Sequence, residues 1–275
     1  MRLVLLSGSG PSHRFILYVC TLLLAGLMAG CVTTTDSRFA REEDKDQAVA
    51  NYVQLATAYL SQGNYERSRK HLERALDLRS DDAAALATQG LLMQAEGEPE
   101  LAEESYRRAL RSDGNYTRGR VFYGAFLYGQ GRFGEAQDQF QRASRDTGYS
   151  DRAAVFYNLG RASERTGDLE VATAAYQRAL ELGRNDPRAL LALSRVLVDA
   201  GDYTAASAHY SRLTGLMQRS PQLGHTPESL LVGIRIARHF NNYDQESSLA
   251  LLLRNRYPDS EEYRKYKVLT ADDNG

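Results

Sequence analysis

Gly90-Leu-Leu-Met-Gln-Ala-Glu-Gly97-Glu-Pro-Glu-Leu-Ala102-Glu-Glu-Ser-Tyr106-Arg-Arg-Ala109 is the stretch that decides the fold. Its skeleton is a small residue, a glycine, an alanine, a large apolar residue and a second alanine. The central glycine recurs as Gly63, Gly97, Gly131, Gly167 and Gly201, at steps of 34, 34, 36 and 34 residues. Seven residues before each stand Ala56, Gly90, Gly124, Gly160 and Ser194; five after stand Ser68, Ala102, Ala136, Ala172 and Ala206. Leu72, Tyr106, Phe140, Tyr176 and Tyr210 follow, and three residues beyond them Ala75, Ala109, Ala143, Ala179 and Leu213. A fixed period of this length marks stacked supersecondary units. The glycine permits a sharp turn through positive φ, the small residues let two antiparallel helices approach, and the large residue fills the gap between one hairpin and the next. No single hairpin buries its apolar face alone, so neighbours must stack.

These positions resemble the tetratricopeptide signature. The resemblance implies an all-α, right-handed superhelical solenoid of about six helix-turn-helix repeats. Five repeats fall at residues 49–82, 83–116, 117–150, 153–186 and 187–220. A loop rich in turn residues follows, from Ser220 to Pro227. Residues 229–240 and 243–256 then read as a degenerate sixth repeat. Residues 261–269 read as a capping helix, which places the sixth repeat and cap within 221–269, and 270–275 as a frayed tail.

Ahead of the repeats the pattern changes. Arg2 and Arg14 supply positive charge ahead of an apolar, uncharged run, Phe15 to Ala25, which ends in Gly26-Leu-Met28-Ala29-Gly30-Cys31. Small residues directly before a cysteine resemble the bacterial lipoprotein cleavage box, with Met28 where leucine is usual. The resemblance implies a signal peptide at residues 1–30 and an acylated mature N-terminus at Cys31; Val32 behind it implies the outer membrane. Two other readings remain: an uncleaved anchor, since residues 15–32 carry no charge, and a simple signal peptide cut near Ala29. Residues 31–48 are expected to be a lipidated flexible tether, too polar between Thr33 and Asp46 to order themselves. A Cys20–Cys31 disulfide is disfavoured, because both cysteines lie within or at the end of the export signal.

The net charge of −1 gives no electrostatic footprint for nucleic acid. Gly129-Gln-Gly131-Arg-Phe-Gly134 matches GxGxxG, but it follows a helix and contains the repeat's turn glycine, so it reads as structural. No two of His13, His71, His209, His225 and His239 are spaced as a metal pair on one helix. His71 and His209 read as surface residues, and Glu103-Glu104 and Glu261-Glu262 as solvated helix faces. The sequence therefore points to no cofactor, no metal, no small-molecule substrate and no enzyme.

In a stack of this kind the first helix of each repeat lines the concave side. By register, the groove receives Val53, Thr57 and Leu60; Ala87, Leu91 and Gln94; Val121, Ala125 and Tyr128; Tyr157, Arg161 and Glu164; Leu191, Arg195 and Val198; and Leu231, Arg235 and Arg238. Such a groove is apolar toward the N-terminal end, where its side chains would have no core to face. It is basic toward the C-terminal end. There Arg161, Arg195, Arg235 and Arg238 either pair with carbonyls and acidic groups of a bound segment, or are solvated or bridge neighbouring repeats.

Several stretches go beyond the generic repeat: Gly30-Cys31-Val32-Thr33, Tyr123-Gly-Ala-Phe-Leu-Tyr128, Ala143-Ser-Arg-Asp-Thr-Gly-Tyr149, the helix from Ser229 to Phe240, and Arg256-Tyr-Pro-Asp-Ser-Glu-Glu-Tyr263. With the cleavage box and six repeats, they resemble the PilW/PilF family of type IV pilus biogenesis and stability lipoproteins, the pilotins. The resemblance implies an outer-membrane lipoprotein facing the periplasm, whose protein partner is the pilus secretin and whose role is to promote secretin localisation and multimerisation. The alternative is a periplasmic adaptor for another envelope complex, one handling peptidoglycan hydrolases or outer-membrane protein assembly.

Overall fold

The computed structural model describes residues 38–220 and 222–271, and every regular element among them is an α-helix. The hairpins are α1 (Arg38–Ser61) with α2 (Tyr65–Leu78), α3 (Ala83–Glu96) with α4 (Pro99–Ser112), α5 (Thr117–Gly129) with α6 (Phe133–Ala143), α7 (Arg152–Thr166) with α8 (Leu169–Leu182), α9 (Pro187–Asp199) with α10 (Tyr203–Arg219), and α11 (Pro227–His239) with α12 (Tyr243–Arg256). A last helix, α13 (Glu261–Ala271), contacts α11 and α12. From the third helix on, each packs on the next, and first helices also touch across repeats, as α3 does α5 and α9 does α11. The result is the expected all-α tetratricopeptide solenoid.

The chain divides into two compact units, Met1–Gln47 and Ala48–Gly275. In the first, the expected signal peptide and Cys31 lie outside the described residues. The tether expected over residues 31–48 needs correction: from Arg38 onward it is helix, not flexible chain. Its charged residues, Arg41 to Asp46, are mostly good helix formers, and extending a nucleated helix adds one hydrogen bond per residue fixed.

The turns follow from local chemistry. The five turn glycines have φ from 72° to 83°, and a Cβ at each would meet open space, so backbone conformation rather than crowding selects glycine there. In the sixth hairpin Asn241 takes the same left-handed conformation at φ 55°, which asparagine tolerates better than other side chains. Asn64, Asp82, Asp168, Asp186, Asp202 and Asn242 each cap the following helix by accepting a first-turn N–H, a contribution of about 1 kcal/mol apiece. The step of 36 residues has a visible cause: α6 stops at Ala143, and a longer loop follows in which Asp146 accepts from Thr117 Oγ1 at 2.6 Å and from the Gly148 N–H at 2.9 Å.

The large residue of each repeat works in two directions. Across its own hairpin it lies on the small residue: a Cβ at Gly90 would sit 2.6 Å from Tyr106 Cε1, one at Gly124 2.9 Å from Phe140 Cε1, and one at Gly160 2.6 Å from Tyr176 Cε1. Toward the neighbouring hairpin, the Tyr106 ring lies 5.8 Å from Tyr123 and 5.6 Å from Phe126. Tyr210 shifts its packing to the next repeat, where a Cβ on Gly233 would come within 2.6 Å of its Cζ. Ala143, three residues after Phe140 on α6, is fully enclosed. Ala143→Leu is expected to lower stability by about 1–3 kcal/mol through overpacking, read as a lower melting temperature; unchanged melting would place Ala143 away from the helix contact.

The cap is lightly held. No residue of α13 is buried, though Tyr263 and Tyr266 pack against the cluster formed by Leu230, Ile234, Leu249, Ala250 and Leu253. Tyr257 donates to the His225 carbonyl at 2.6 Å, tying the end of α12 back to the loop before α11. The helix reaches Ala271, two residues past the expected end; residues 272–275 lie outside the described residues.

Candidate functional site

The first helices place the expected groove positions in three settings. Toward the N-terminal end, Val53, Leu60, Leu91, Val121 and Tyr128 are half-buried and pack against the edge of the main core. The expectation that apolar groups there have no core to face is therefore corrected: they form the core's rim. Thr57 is exposed and donates to the Val53 carbonyl at 2.8 Å, and Gln94 accepts from Tyr106 Oη at 3.1 Å. Ala87 and Val198 leave the groove altogether. Ala87 is enclosed with Leu86 and Ala109, and Val198 joins Leu197, Tyr210 and Val232 in the second core.

In the middle, α5, α7 and α9 border a half-open cavity of about 410 Å³. It brings together Tyr128, Tyr157, Arg161, Glu164, Leu191 and Arg195, all groove positions by register. It also recruits residues that the register missed: Arg165, Tyr176 and Ala192, Arg188 from the first turn of α9, and Glu228 from the first turn of α11. Arg165 was legible as the residue one turn after Arg161. Glu228 was not, because the loop before α11 decides where that helix starts. Toward the C-terminal end, Leu231 and Arg235 line a separate cavity of about 450 Å³ with Val268 and Leu269 of α13.

The charges in the central cavity are unequal in their commitments. Arg195 Nη2 lies 2.8 Å from Glu164, and its Nε lies 3.0 Å from Glu228 Oε1 without aiming a hydrogen bond at it. Glu164 also accepts a short hydrogen bond from Tyr176 Oη. Burial pushes the Glu164 carboxyl above the usual carboxylate range, and the Tyr176 hydrogen bond and the Arg195 charge only partly offset this. Burial likewise raises the phenols of Tyr157 and Tyr176. Arg188 is paired with Asp186 at 2.8 Å. Arg161 differs: it lies over the Tyr128 ring at 4.4 Å and the Tyr157 ring at 5.9 Å. Two of the groove arginines are therefore bridges between repeats, and a third is paired within its own. Arg195 links the fourth, fifth and sixth repeats, Arg235 pairs with Asp199 of the fifth, and Arg238 lies 3.6 Å from Glu246 within the sixth.

Glu103, read as solvated, is not, and the two histidines read as surface residues are only partly exposed. Glu103 is a hub that accepts from Tyr123 Oη at 2.8 Å and pairs with Arg107 and Arg132 at 2.7 Å each; the Arg132 hydrogen bond is the main reason its carboxyl falls below the usual range. His71 and His209 are half-buried, each with an enclosed Nδ1 that has no hydrogen-bond partner. Among the described residues no His, Cys, Asp and Glu gather in a group suited to a metal, and no helix is long and apolar enough to cross a membrane.

Comparison with known proteins places this geometry. Tetratricopeptide repeat models match residues 46–113, 127–189 and 165–224. The chain is 36% identical over 247 residues, 90% of its length and 96% of the relative's, to the type IV pilus assembly protein PilF of Pseudomonas aeruginosa. The solved structure of Pseudomonas aeruginosa PilF superposes with a TM-score of 0.72 at 36% identity, covering 82% of this chain and 99% of that one. The crystal structure of PilW, described as a widely conserved type IV pilus biogenesis factor, superposes with a TM-score of 0.65 at 24% identity, covering 80% and 98%, and speaks for the fold. On the identity to PilF across nearly the whole length, with the repeats in register, the chain belongs to the PilF family of type IV pilus tetratricopeptide-repeat proteins.

Proposed function

We propose that this chain is an outer-membrane lipoprotein that acts as the pilotin of a type IV pilus: it binds the secretin and promotes its localisation and multimerisation. The supporting observation is the 36% identity to a type IV pilus assembly protein over 90% of the chain. The stack supplies a surface for a guest polypeptide in the rim, the central cavity and the arginines of its first helices. Acylation of Cys31 would fix the scaffold at the membrane, with several acyl chains each contributing about 0.8 kcal/mol per buried CH₂. Tethering raises the local concentration of whatever the groove holds, which favours ring assembly. Recognition is of protein, through half-buried apolar side chains and oriented guanidiniums, and no turnover is involved.

Two experiments test the two halves. Secretin should co-purify with the tagged chain, and secretin multimers should fall in a deletion strain; no enrichment together with normal multimers would favour an adaptor for another envelope complex. Cys31→Ala should release the protein from the membrane fraction, and globomycin should accumulate an unprocessed, acylated precursor. A variant that stays on the membrane would contradict anchoring at Cys31.

A further inference from the structure

We infer that the cavity between α5, α7 and α9 takes an extended acidic segment of a partner protein, holding its carboxylates on the paired guanidiniums of Arg161 and Arg165. The inference rests on the reading above that this face binds protein, and it adds the chemistry of what is bound.

Two of the four arginines that line the cavity are already committed. Arg195 faces Glu164 and Glu228, and Arg188 faces Asp186. Arg161 and Arg165 line the same cavity, yet neither has an ion pair or a hydrogen bond among the described residues. They stand four residues apart on α7, so they project from one face of the helix. Each is held over a ring: Arg161 over Tyr128 at 4.4 Å, Arg165 over Phe133 at 4.0 Å. A ring face attracts a guanidinium without using its N–H groups, and each guanidinium has five. The site therefore presents two positioned cations with unused donors. Like charges at this spacing repel, and carboxylates seated on them would relieve the repulsion while bonding in the bidentate geometry that arginine favours.

The acidic groups in the lining decide the class of ligand. Glu164 on α7 itself and Glu228 in the first turn of α11 also line the cavity, both beside Arg195. They oppose a dense, unbroken run of phosphates, as in nucleic acid or an anionic lipid surface, more than carboxylates spaced along a peptide, and they can accept the backbone N–H groups that a peptide carries between its acidic side chains. Tyr157 and Leu191, both half-buried on the walls, suit apolar side chains between the acids.

The test uses the full mature chain in detergent and a fluorescein-labelled peptide, Ser-Phe-Glu-Ala-Glu-Leu-Glu-Ser, against its counterpart with Gln for every Glu. The Glu peptide should bind at least about tenfold more tightly, and Arg161→Gln/Arg165→Gln should abolish that preference, since a tenfold change is what one lost charge-assisted hydrogen bond produces. Arg161→Lys/Arg165→Lys, which keeps the charges and loses the forks, should give an intermediate value; both variants should melt like the wild type. Equal affinity for the two peptides, an unchanged preference in the Gln variant, or binding only to phosphatidylglycerol vesicles would overturn the inference. If secretin is captured equally by the wild type and the Gln variant while the Glu peptide is not preferred, this inference fails and the pilotin reading stands. If the Glu peptide is preferred and secretin is not captured, the reverse holds.

Discussion

Gly160→Val should cost roughly 3 kcal/mol or more, the largest effect we expect of any single aliphatic substitution in the stack. A Cβ at this position falls 2.6 Å from Cε1, 2.7 Å from Cδ1 and 2.8 Å from Cζ of Tyr176, and the Tyr176 ring is fully enclosed. The ring is held in place on both sides. It lies 5.8 Å from the Tyr157 ring, and its hydroxyl is held by Glu164. Accommodating the extra atoms means pushing α7 and α8 apart, which opens the core on both sides of the fourth repeat. Denaturant unfolding checks this through the midpoint at constant slope. A second variant, Gly160→Val/Tyr176→Ala, should cost less than the sum of its two single changes, because removing the ring removes the clash and the valine fills part of the cavity. A single variant as stable as the wild type would mean that the hairpins are not packed this closely.

Arg195→Met should cost about 2 kcal/mol at neutral pH and much less near pH 4. The substitution removes the cation nearest Glu164 and leaves a largely enclosed carboxylate beside Tyr176. Breaking one side of a buried pair is costly because the remaining charge is uncompensated; Arg195 is partly exposed, which reduces the figure. The pH dependence follows from the direction of the Glu164 shift. Its folded pKa already lies above its ordinary value because of burial, and removing Arg195 raises it further. An acid raised on folding binds its proton more tightly in the native state, so the penalty grows as pH rises from the unfolded pKa to the folded one and is constant above. Below the unfolded pKa, about 4.3 for glutamate, the carboxyl is neutral in both states and this cost vanishes. Stability of wild type and variant measured across pH 4–8 should converge at the acid end; parallel curves would show that Arg195 acts through packing alone.

The fold was readable because a single local rule repeats. One turn glycine, two small helix contacts and one ring, returned at a near-constant step, fix both the hairpin and its stacking, and every one of the five glycines has the positive φ that the pattern requires. The sixth hairpin was readable without that glycine because Asn241 can adopt the same conformation. The groove was readable only in part. Register says which face a residue is on, and it brought Tyr128, Tyr157, Arg161 and Arg195 to one cavity. Register does not say how deep the neighbouring repeat lies, so Ala87 and Val198 were carried into the core. Nor does it say which charges meet between repeats: Glu164, Arg195 and Glu228 belong to three different repeats, and their contact depends on superhelical geometry rather than spacing. The helical start at Arg38 escaped notice because its residues have no apolar periodicity; their helicity comes from propensity and from continuation of α1.

The claim on which the account turns is that first helices, and not second ones, meet the partner. Hydrogen exchange of the full mature chain, alone and with the periplasmic part of the cognate secretin, measures this directly. We expect added protection in α3, α5, α7 and α9, greatest around Tyr157 to Arg165, with α4, α6 and α8 unchanged. Protection confined to the second helices, or none at saturating secretin, would contradict the account.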